Sequence, residues 1–213
     1  MKEKRLSEIT AYRYLFRCLH KYGASSSRLI SEIEKCTRFQ VVSKRTVLQE
    51  CRSQSKYLYF IAYGICRRYY VKNCQEEVID IKGDGHFLAS YESFFFRKES
   101  RDYIETLEKT YLIRISYINL ENLEKEFPEI ERIRRRLAES LIAERELFDY
   151  MTRNERAENK VSYILNHPKM KRIISRIPNY HVASYLQMAP ETFSRVKKRI
   201  LKNKSPQLRL IFV

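Results

Sequence analysis

The spacing of apolar and polar residues divides the chain into three parts with different periods. Over the first 38 residues, apolar side chains recur at roughly helical spacing, with breaks at Gly23 and at the serines of 25–27. From about Phe39 the chain turns to short runs of aromatic and β-branched residues, which are typical of strands. These runs are residues 57–63, 65–71, 77–81, 104–107 and 111–116. Short runs separated by turn signals predict an antiparallel sandwich or barrel.

The helical period returns after Phe127-Pro128 and continues to about Asn154, without an internal glycine or proline. Apolar positions recur near every 3.5 residues, Glu144 interrupts them, and the neighbouring positions are heavily charged. Such a narrow strip favours packing against one partner helix, which we interpret as a homodimer seam, with burial in a core as the alternative. The predicted seam residues are Ile130, Ile133, Leu137, Leu141, Phe148 and Met151.

The last part of the chain predicts a helix-turn-helix at residues 179–199, preceded by a short helix at 157–165 and a basic connector at 169–176. Pro178 and Pro190 each suit the first turn of a helix, and they lie twelve residues apart. The turn residue is Gln187, where a glycine usually relieves a positive φ angle. Apolar residues stand where the two helices would meet: Val182, Leu186, Met188, Phe193 and Val196.

The charge of the chain is strongly basic and unevenly distributed. Lys and Arg number 42 against 26 Asp and Glu, a net charge of +16. Residues 155–213 alone hold thirteen Lys/Arg against three Asp/Glu. This excess predicts attraction to a polyanion such as nucleic acid. The chain contains neither an apolar stretch long enough to span a bilayer nor the apolar core of a signal peptide, so we expect a cytoplasmic protein without a membrane partner.

The second helix of the motif carries the residue types that recognise duplex DNA. Arg195 can donate two hydrogen bonds to a guanine, and Glu191 can accept one from a cytosine. The lysines that follow, Lys197, Lys198 and Lys202, suit phosphates. The competing hypothesis is a non-specific nucleic-acid binder whose basic tail only coats phosphates. Glu191 argues against it. An acid in the groove repels phosphate, so it favours binding only if it also contacts a base.

Four segments together are similar to the Crp/Fnr family, named after the cyclic AMP receptor protein, and particularly to its branch common in Bacteroidetes. They are 56–71, 82–94, the long helix and 176–200, and the resemblance covers about residues 40–200. It implies an α+β chain with a cyclic-nucleotide-binding-like β-roll over 1–126, a dimerisation helix over 127–154 and a DNA-binding domain over 155–213. It also implies a homodimeric transcription regulator whose partners are double-stranded DNA and RNA polymerase.

The same resemblance assigns roles within the motif. Glu191 and Arg195 fall on the family's two main base-contacting positions, Pro190 and Ser194 on flanking positions that vary with the DNA target, and Thr192 on a phosphate contact.

The effector region departs from the family pattern. Members that bind cyclic AMP use a Gly-Glu-Leu segment and an Arg-Ser or Arg-Thr pair, where this chain has Ala89-Ser90-Tyr91 and Ser100-Arg101. The glutamate is absent and the arginine is displaced by one residue, which on a strand turns it to the opposite face. We therefore expect an effector pocket near these five residues that does not take cyclic nucleotides.

The sequence offers no pattern typical of an enzyme or a metal site. Its five cysteines are widely spaced and form no CxxC pair, so we expect reduced thiols, with redox sensing left open. Its four histidines lie on separate segments, and neither a Ser-His-Asp constellation nor a phosphate-binding glycine loop is present. We predict no enzymatic activity, no metal and no cofactor.

Overall fold

A computed structural model describes residues 6–204, which contain eight β-strands and nine α-helices. The outermost residues of the two terminal domains expected from the sequence, 1–5 and 205–213, lie outside the described residues. The strands are β1 (Thr37–Val42), β2 (Val47–Gln49), β3 (Tyr57–Tyr63), β4 (Cys66–Lys72), β5 (Gln75–Lys82), β6 (Phe87–Leu88), β7 (Tyr103–Thr106) and β8 (Thr110–Ser116). The helices are α1 (Glu8–Lys21), α2 (Ser27–Cys36), α3 (Tyr91–Phe96), α4 (Tyr117–Glu126), α5 (Glu129–Thr152), α6 (Ala157–Asn166), α7 (Pro168–Ile174), α8 (Asn179–Tyr185) and α9 (Pro190–Lys204).

Serine side chains start three of these helices by accepting a backbone N–H of the first turn. Ser7 accepts from Thr10 in α1, Ser26 from Leu29 in α2, and Ser116 from Asn119 in α4. The serines at 25–27 therefore both separate the first two helices and cap the second.

The strands form two antiparallel four-stranded sheets, which confirms the predicted sandwich. One sheet has the order β1-β8-β3-β6 and the other β2-β7-β4-β5. Strand β8 is buried on both faces: Tyr111 and Ile113 pack with the N-terminal helices, and Leu112 packs in the cluster that also holds β7. Three strands were not predicted: β2 and β6 are only three and two residues long, and β1 follows directly after helix α2, so its strand-forming residues were not separated from the helical pattern before them.

Helix α5 connects the sheets to the C-terminal helices, and its apolar strip is largely used inside the chain. Ile130 and Ile133 are buried in the core below the first sheet, and Leu137 packs against it. Phe148, at the other end, packs against the C-terminal helices. Leu141 and Met151 are half-buried. Ile130 and Ile133 are therefore unavailable to a second chain, because they are buried in the core that the N-terminal helices, α4 and the first sheet form.

Three other apolar residues of α5 are exposed instead. The exposed fractions are 59% for Ile142, 51% for Leu147 and 80% for Tyr150. The surface that α5 offers to a partner therefore differs from the strip predicted from the sequence.

The C-terminal helices form a helix-turn-helix on a small core. Val182 and Leu186 of the first helix, α8, pack with Phe193 and Val196 of the second, α9, and all four are buried. The turn residue Gln187 has a φ angle of 55°, as its position predicted. One prediction was wrong: residues 169–176 are not a connector, because 168–174 form α7, which buries Ile173 and Ile174.

The helical unit also packs on the second sheet. Ile65, Val78 and Ile81 of that region share one apolar cluster with Val161 and Phe193. Among the described residues, no helix is both long and apolar enough to cross a membrane.

Candidate nucleic-acid interface and the neighbouring pocket

Helix α9 presents a polar surface because its apolar residues are buried on the opposite side. Phe193 and Val196 face α8 and the core. Glu191, Ser194, Arg195 and Lys198 are exposed on the other side, and we call these four residues the α9 surface. Residues 191, 194, 195 and 198 follow the helical spacing that brings side chains onto one face.

The charges of the α9 surface are not engaged elsewhere in the molecule. Within the described part of the chain, no hydrogen bond or ion pair holds the side chain of Glu191, Arg195 or Lys198, and the same is true of Lys202. Exposed charges without protein partners are free to meet a charged ligand.

Other polar residues of α9 are held within the protein. Lys197 donates to Asn179 Oδ1 at 3.0 Å. Asn179 Nδ2 in turn lies 3.4 Å from Ser194 Oγ. Arg199 forms an ion pair with Glu158 of α6. Lys197, which the sequence placed among the phosphate contacts, thus joins α9 to α8, whereas Pro190 is exposed and Thr192 is half-buried.

The order of the elements, two sheets followed by a long helix and a helix-turn-helix, has counterparts among solved structures. FixK2 from Bradyrhizobium japonicum is similar with a TM-score of 0.67 at 13% identity, over 79% of this chain and 86% of that one. The c-di-GMP responsive global regulator CLP of Xanthomonas campestris gives a TM-score of 0.64 at 15% identity, over 84% and 93%. A transcriptional regulator of the Crp/Fnr family from Eubacterium rectale gives 0.62 at 14% identity, over 86% and 88%.

The chain has the Crp/Fnr-type fold. A scan against protein-family models and a search of curated proteins returned no match.

In this Crp/Fnr-type fold, two of the residues expected at an effector site, Ser90 and Ser100, contact each other directly. Ser90 and Ser100 are buried with their Oγ atoms 3.0 Å apart. Ser100 Oγ donates to Asp102 Oδ1 at 2.8 Å, so the proton between the two serines belongs to Ser90. Arg68 Nε lies 3.5 Å from Asp102 Oδ2. We call Arg68, Ser90, Ser100 and Asp102 the internal polar network.

Arg68 also contacts two neighbours of this network. Its Nη1 lies 3.3 Å from the carbonyl oxygen of Ala89, and its guanidinium lies 5.4 Å from the centroid of the Tyr91 ring. Arg101, by contrast, is 86% exposed and lies 3.5 Å from Glu92. The structure therefore brings Ala89, Ser90 and Ser100 together and leaves Arg101 outside.

The sequence could not identify Arg68 and Asp102 as members of this network. They come from β4 and from the segment before β7, which are neighbours only because of the sheet order. No local spacing signals such a pairing.

A groove of about 1030 Å³ runs between α5, α3 and the second sheet. Glu144, the polar interruption of the α5 strip, lies in it, 3.3 Å from Lys82 Nζ of β5 and 3.5 Å from Lys169 Nζ of α7. Burial raises the pKa of Glu144, but these two ammonium groups outweigh burial and hold that pKa below its usual value. The polar residue thus serves as an ionic junction between the sheet, the long helix and the C-terminal unit.

Proposed function

We propose that the protein is a cytoplasmic transcription regulator of the Crp/Fnr type that binds specific sites in double-stranded DNA as a homodimer. The proposal rests mainly on the α9 surface, where Glu191 and Arg195 are exposed on one face without protein partners. Arg recognises guanine by two hydrogen bonds, and Glu recognises the amino group of cytosine. By this proposal Pro190 and Ser194 lie against the flanking bases, and Thr192, Lys198 and Lys202 contact phosphates.

A non-specific nucleic-acid binder is the alternative. A surface selected only for phosphates gains nothing from Glu191, which repels them. Glu191 is the only carboxylate after residue 158 in the sequence, and it lies among the exposed cations of α9. We therefore favour contacts to bases over a simple coating of phosphates.

The homodimer is proposed to form through α5. Its exposed residues Ile142, Leu147 and Tyr150 are large apolar groups that a partner helix would cover. A two-fold dimer would present two α9 helices to a palindromic site, with half-site centres about 34 Å apart. We propose residues 127–154 as the dimerisation helix between the two domains, 1–126 and 155–213.

Regulation is proposed to be independent of cyclic nucleotides, because Ser90, Ser100 and Asp102 of the internal polar network are hydrogen-bonded to one another. RNA polymerase is proposed as a further partner on the strength of the Crp/Fnr resemblance, and membership of the branch common in Bacteroidetes is proposed on the same ground.

Selection from a random DNA pool at fixed salt tests the proposal. The wild-type protein should enrich one palindromic motif, whereas Glu191→Ala should lose preference at one base pair of each half-site without losing overall affinity. The matched control is Glu50→Ala, which removes an equal charge from an exposed position outside α9 and should keep the motif. A parallel selection with cell extract supplies any effector. Failure of the wild-type protein to enrich a motif in both selections would contradict specific binding.

A further inference from the structure

The first helix of the helix-turn-helix, α8, is hydrogen-bonded to the edge of the second sheet. Strand β5 ends that sheet and would otherwise leave backbone groups without partners. Ser184 Oγ of α8 accepts from the backbone N–H of Val78 at 2.9 Å and lies 3.4 Å from the carbonyl oxygen of Glu76. The DNA-binding unit is therefore docked on the sheet by specific polar contacts.

A histidine of α8 and an arginine of β4 complete this contact. Arg67 Nη1 lies 3.3 Å from His181 Nδ1. Because a guanidinium can only donate, Nδ1 must accept, so the docked arrangement requires an unprotonated Nδ1. Arg67 itself is held at 2.6 Å by Glu76 and at 2.6 Å by Glu105. A second proton on His181 would place an imidazolium against this guanidinium.

His181 is enclosed from several sides and is only 6% exposed. The charged groups that face it are Arg67 of β4, Glu76 of β5, and Lys44 and Arg45 of the β1–β2 turn. Tyr180, its neighbour, places its ring centroid 4.1 Å from that of the imidazole. Burial first and Arg67 second lower the pKa of His181 to about 4.

The docked position also brings strand β5 close to the DNA-binding end of the motif. One groove of about 980 Å³ is lined by Glu76 and Glu77 of β5 together with Tyr180, Gln187 and Pro190 of the helix-turn-helix. Cations line this groove as well, and Glu76 is paired with Arg67, so the charges of the groove largely offset one another. A duplex that approaches the start of α9 would therefore meet the edge of the sheet, and docking on β5 leaves it less room at this end of α9 than an undocked helix-turn-helix would.

We propose that Arg67, Val78, His181 and Ser184 form a latch that holds the helix-turn-helix against the sensor sheet, and that protonation of His181 opens it and raises DNA affinity. The inference rests on the proposed function, since it assigns a mode of regulation to the same DNA-binding unit. Contacts between domains of one chain are commonly reversible. A small change in free energy is therefore enough to shift the equilibrium between the docked and the open helix-turn-helix.

The sign of the effect follows from the two protonation states. A free histidine titrates near about 6.5, whereas docking lowers the pKa of His181 to about 4. Docking is therefore fully favoured above the free value and is weakened as the pH falls between the two values. One proton linked in this way lowers the docked-to-open ratio roughly tenfold between about pH 7.5 and 5.5.

Hydrogen exchange tests the latch without DNA. The amide of Val78 should lose protection between pH 7.5 and 5.5 in the wild-type protein relative to His181→Gln at the same pH. Glutamine accepts the same hydrogen bond but does not titrate, so this variant also cancels the intrinsic pH dependence of exchange. Ser184→Ala should weaken protection at both pH values and keep the difference between them.

Binding of a random-sequence duplex tests the consequence. Between the two pH values, wild-type affinity should rise about tenfold more than that of His181→Gln. His20→Gln, at an exposed position of α1, and His86→Gln should behave as wild type; His86 is the necessary control because burial, Lys82 and Lys169 lower its pKa too. Equal pH profiles of wild type and His181→Gln in both measurements would overturn the latch. Loss of protection without DNA binding at either pH would support the latch and contradict the proposed function.

Discussion

The α9 surface and the internal polar network each consist of four polar residues, but they differ in exposure and in hydrogen bonding. On α9, Glu191, Arg195 and Lys198 have no partner among the described side chains. In the network, Ser90, Ser100 and Asp102 are buried and hydrogen-bonded to one another.

This difference distinguishes a surface whose polar groups are available to a ligand from a buried network whose polar groups bind one another. Exposed charges keep their hydration until a partner of opposite sign replaces it, so they cost the free protein little. Buried polar groups must find partners within the protein, because an unsatisfied one costs about 1–3 kcal/mol. Ser90, Ser100 and Asp102, which are already hydrogen-bonded to one another, offer a cyclic nucleotide little to bind.

The largest effect is expected from separating the two α9 helices of the proposed dimer. Ile142→Asp with Leu147→Asp places charges on exposed positions of α5, so each chain should remain folded. Light scattering should then give a monomer, and affinity for a palindromic site should fall by about 10²–10⁴-fold, because the second half-site no longer binds as part of one molecule. An unchanged mass would exclude this surface as the seam.

The next largest effect is expected at the α9 surface itself. Arg195→Ala should cost about 1–3 kcal/mol of binding free energy and relax preference at one base pair of each half-site. Lys198→Ala is the matched control: it should weaken binding to all sequences alike and reduce the salt slope by about one unit per site. Identical selectivity profiles for the two variants would contradict the assignment of Arg195 to a base and of Lys198 to a phosphate.

A smaller effect, on stability alone, is expected in the internal polar network. Ser100→Ala leaves Ser90 and Asp102 without their shared partner and should lower the free energy of unfolding by about 1–3 kcal/mol in a denaturant titration. DNA affinity measured on folded protein should not change. Ser175→Ala, which removes an exposed hydroxyl from the end of α7, should stay within about 0.5 kcal/mol of wild type. An unchanged free energy of unfolding in Ser100→Ala would show that the hydrogen bonds of the network do not stabilise the fold.

The smallest expected effect is none. Cyclic AMP and cyclic GMP should produce no heat of binding in calorimetry at micromolar concentrations, because Ser90, Ser100 and Asp102 are already hydrogen-bonded to one another. Binding at such concentrations would mean that the network opens to admit a ligand, and the contrast with α9 would fail.

Local sequence patterns were sufficient for the elements whose signals lie within a few residues. The run 57–63 coincides with strand β3, because its four aromatic residues and Ile61 favour an extended chain. Pro190 at the start of α9 follows from the chemistry of proline, whereas the positive φ of Gln187 follows from its position in the turn of the motif. Helix α7 was missed because its basic residues, such as Lys171, mask the two isoleucines that hold it in the core.

The tertiary structure decided everything that depends on which distant segments meet. The strip on α5 has the period of a dimer seam, yet Ile130 and Ile133 are buried in the chain's own core, and periodicity cannot identify the partner. Arg68 meets Asp102, and Arg67 meets His181, across 34 and 114 positions of sequence, because the sheet order and the docking of α8 bring them together. The sequence by itself determined the type of several local elements, such as β3, α5 and α9, and the chemistry of the α9 surface. Only the folded chain determined which polar groups are paired internally and which remain exposed, because burial and pairing depend on neighbours that local sequence does not specify.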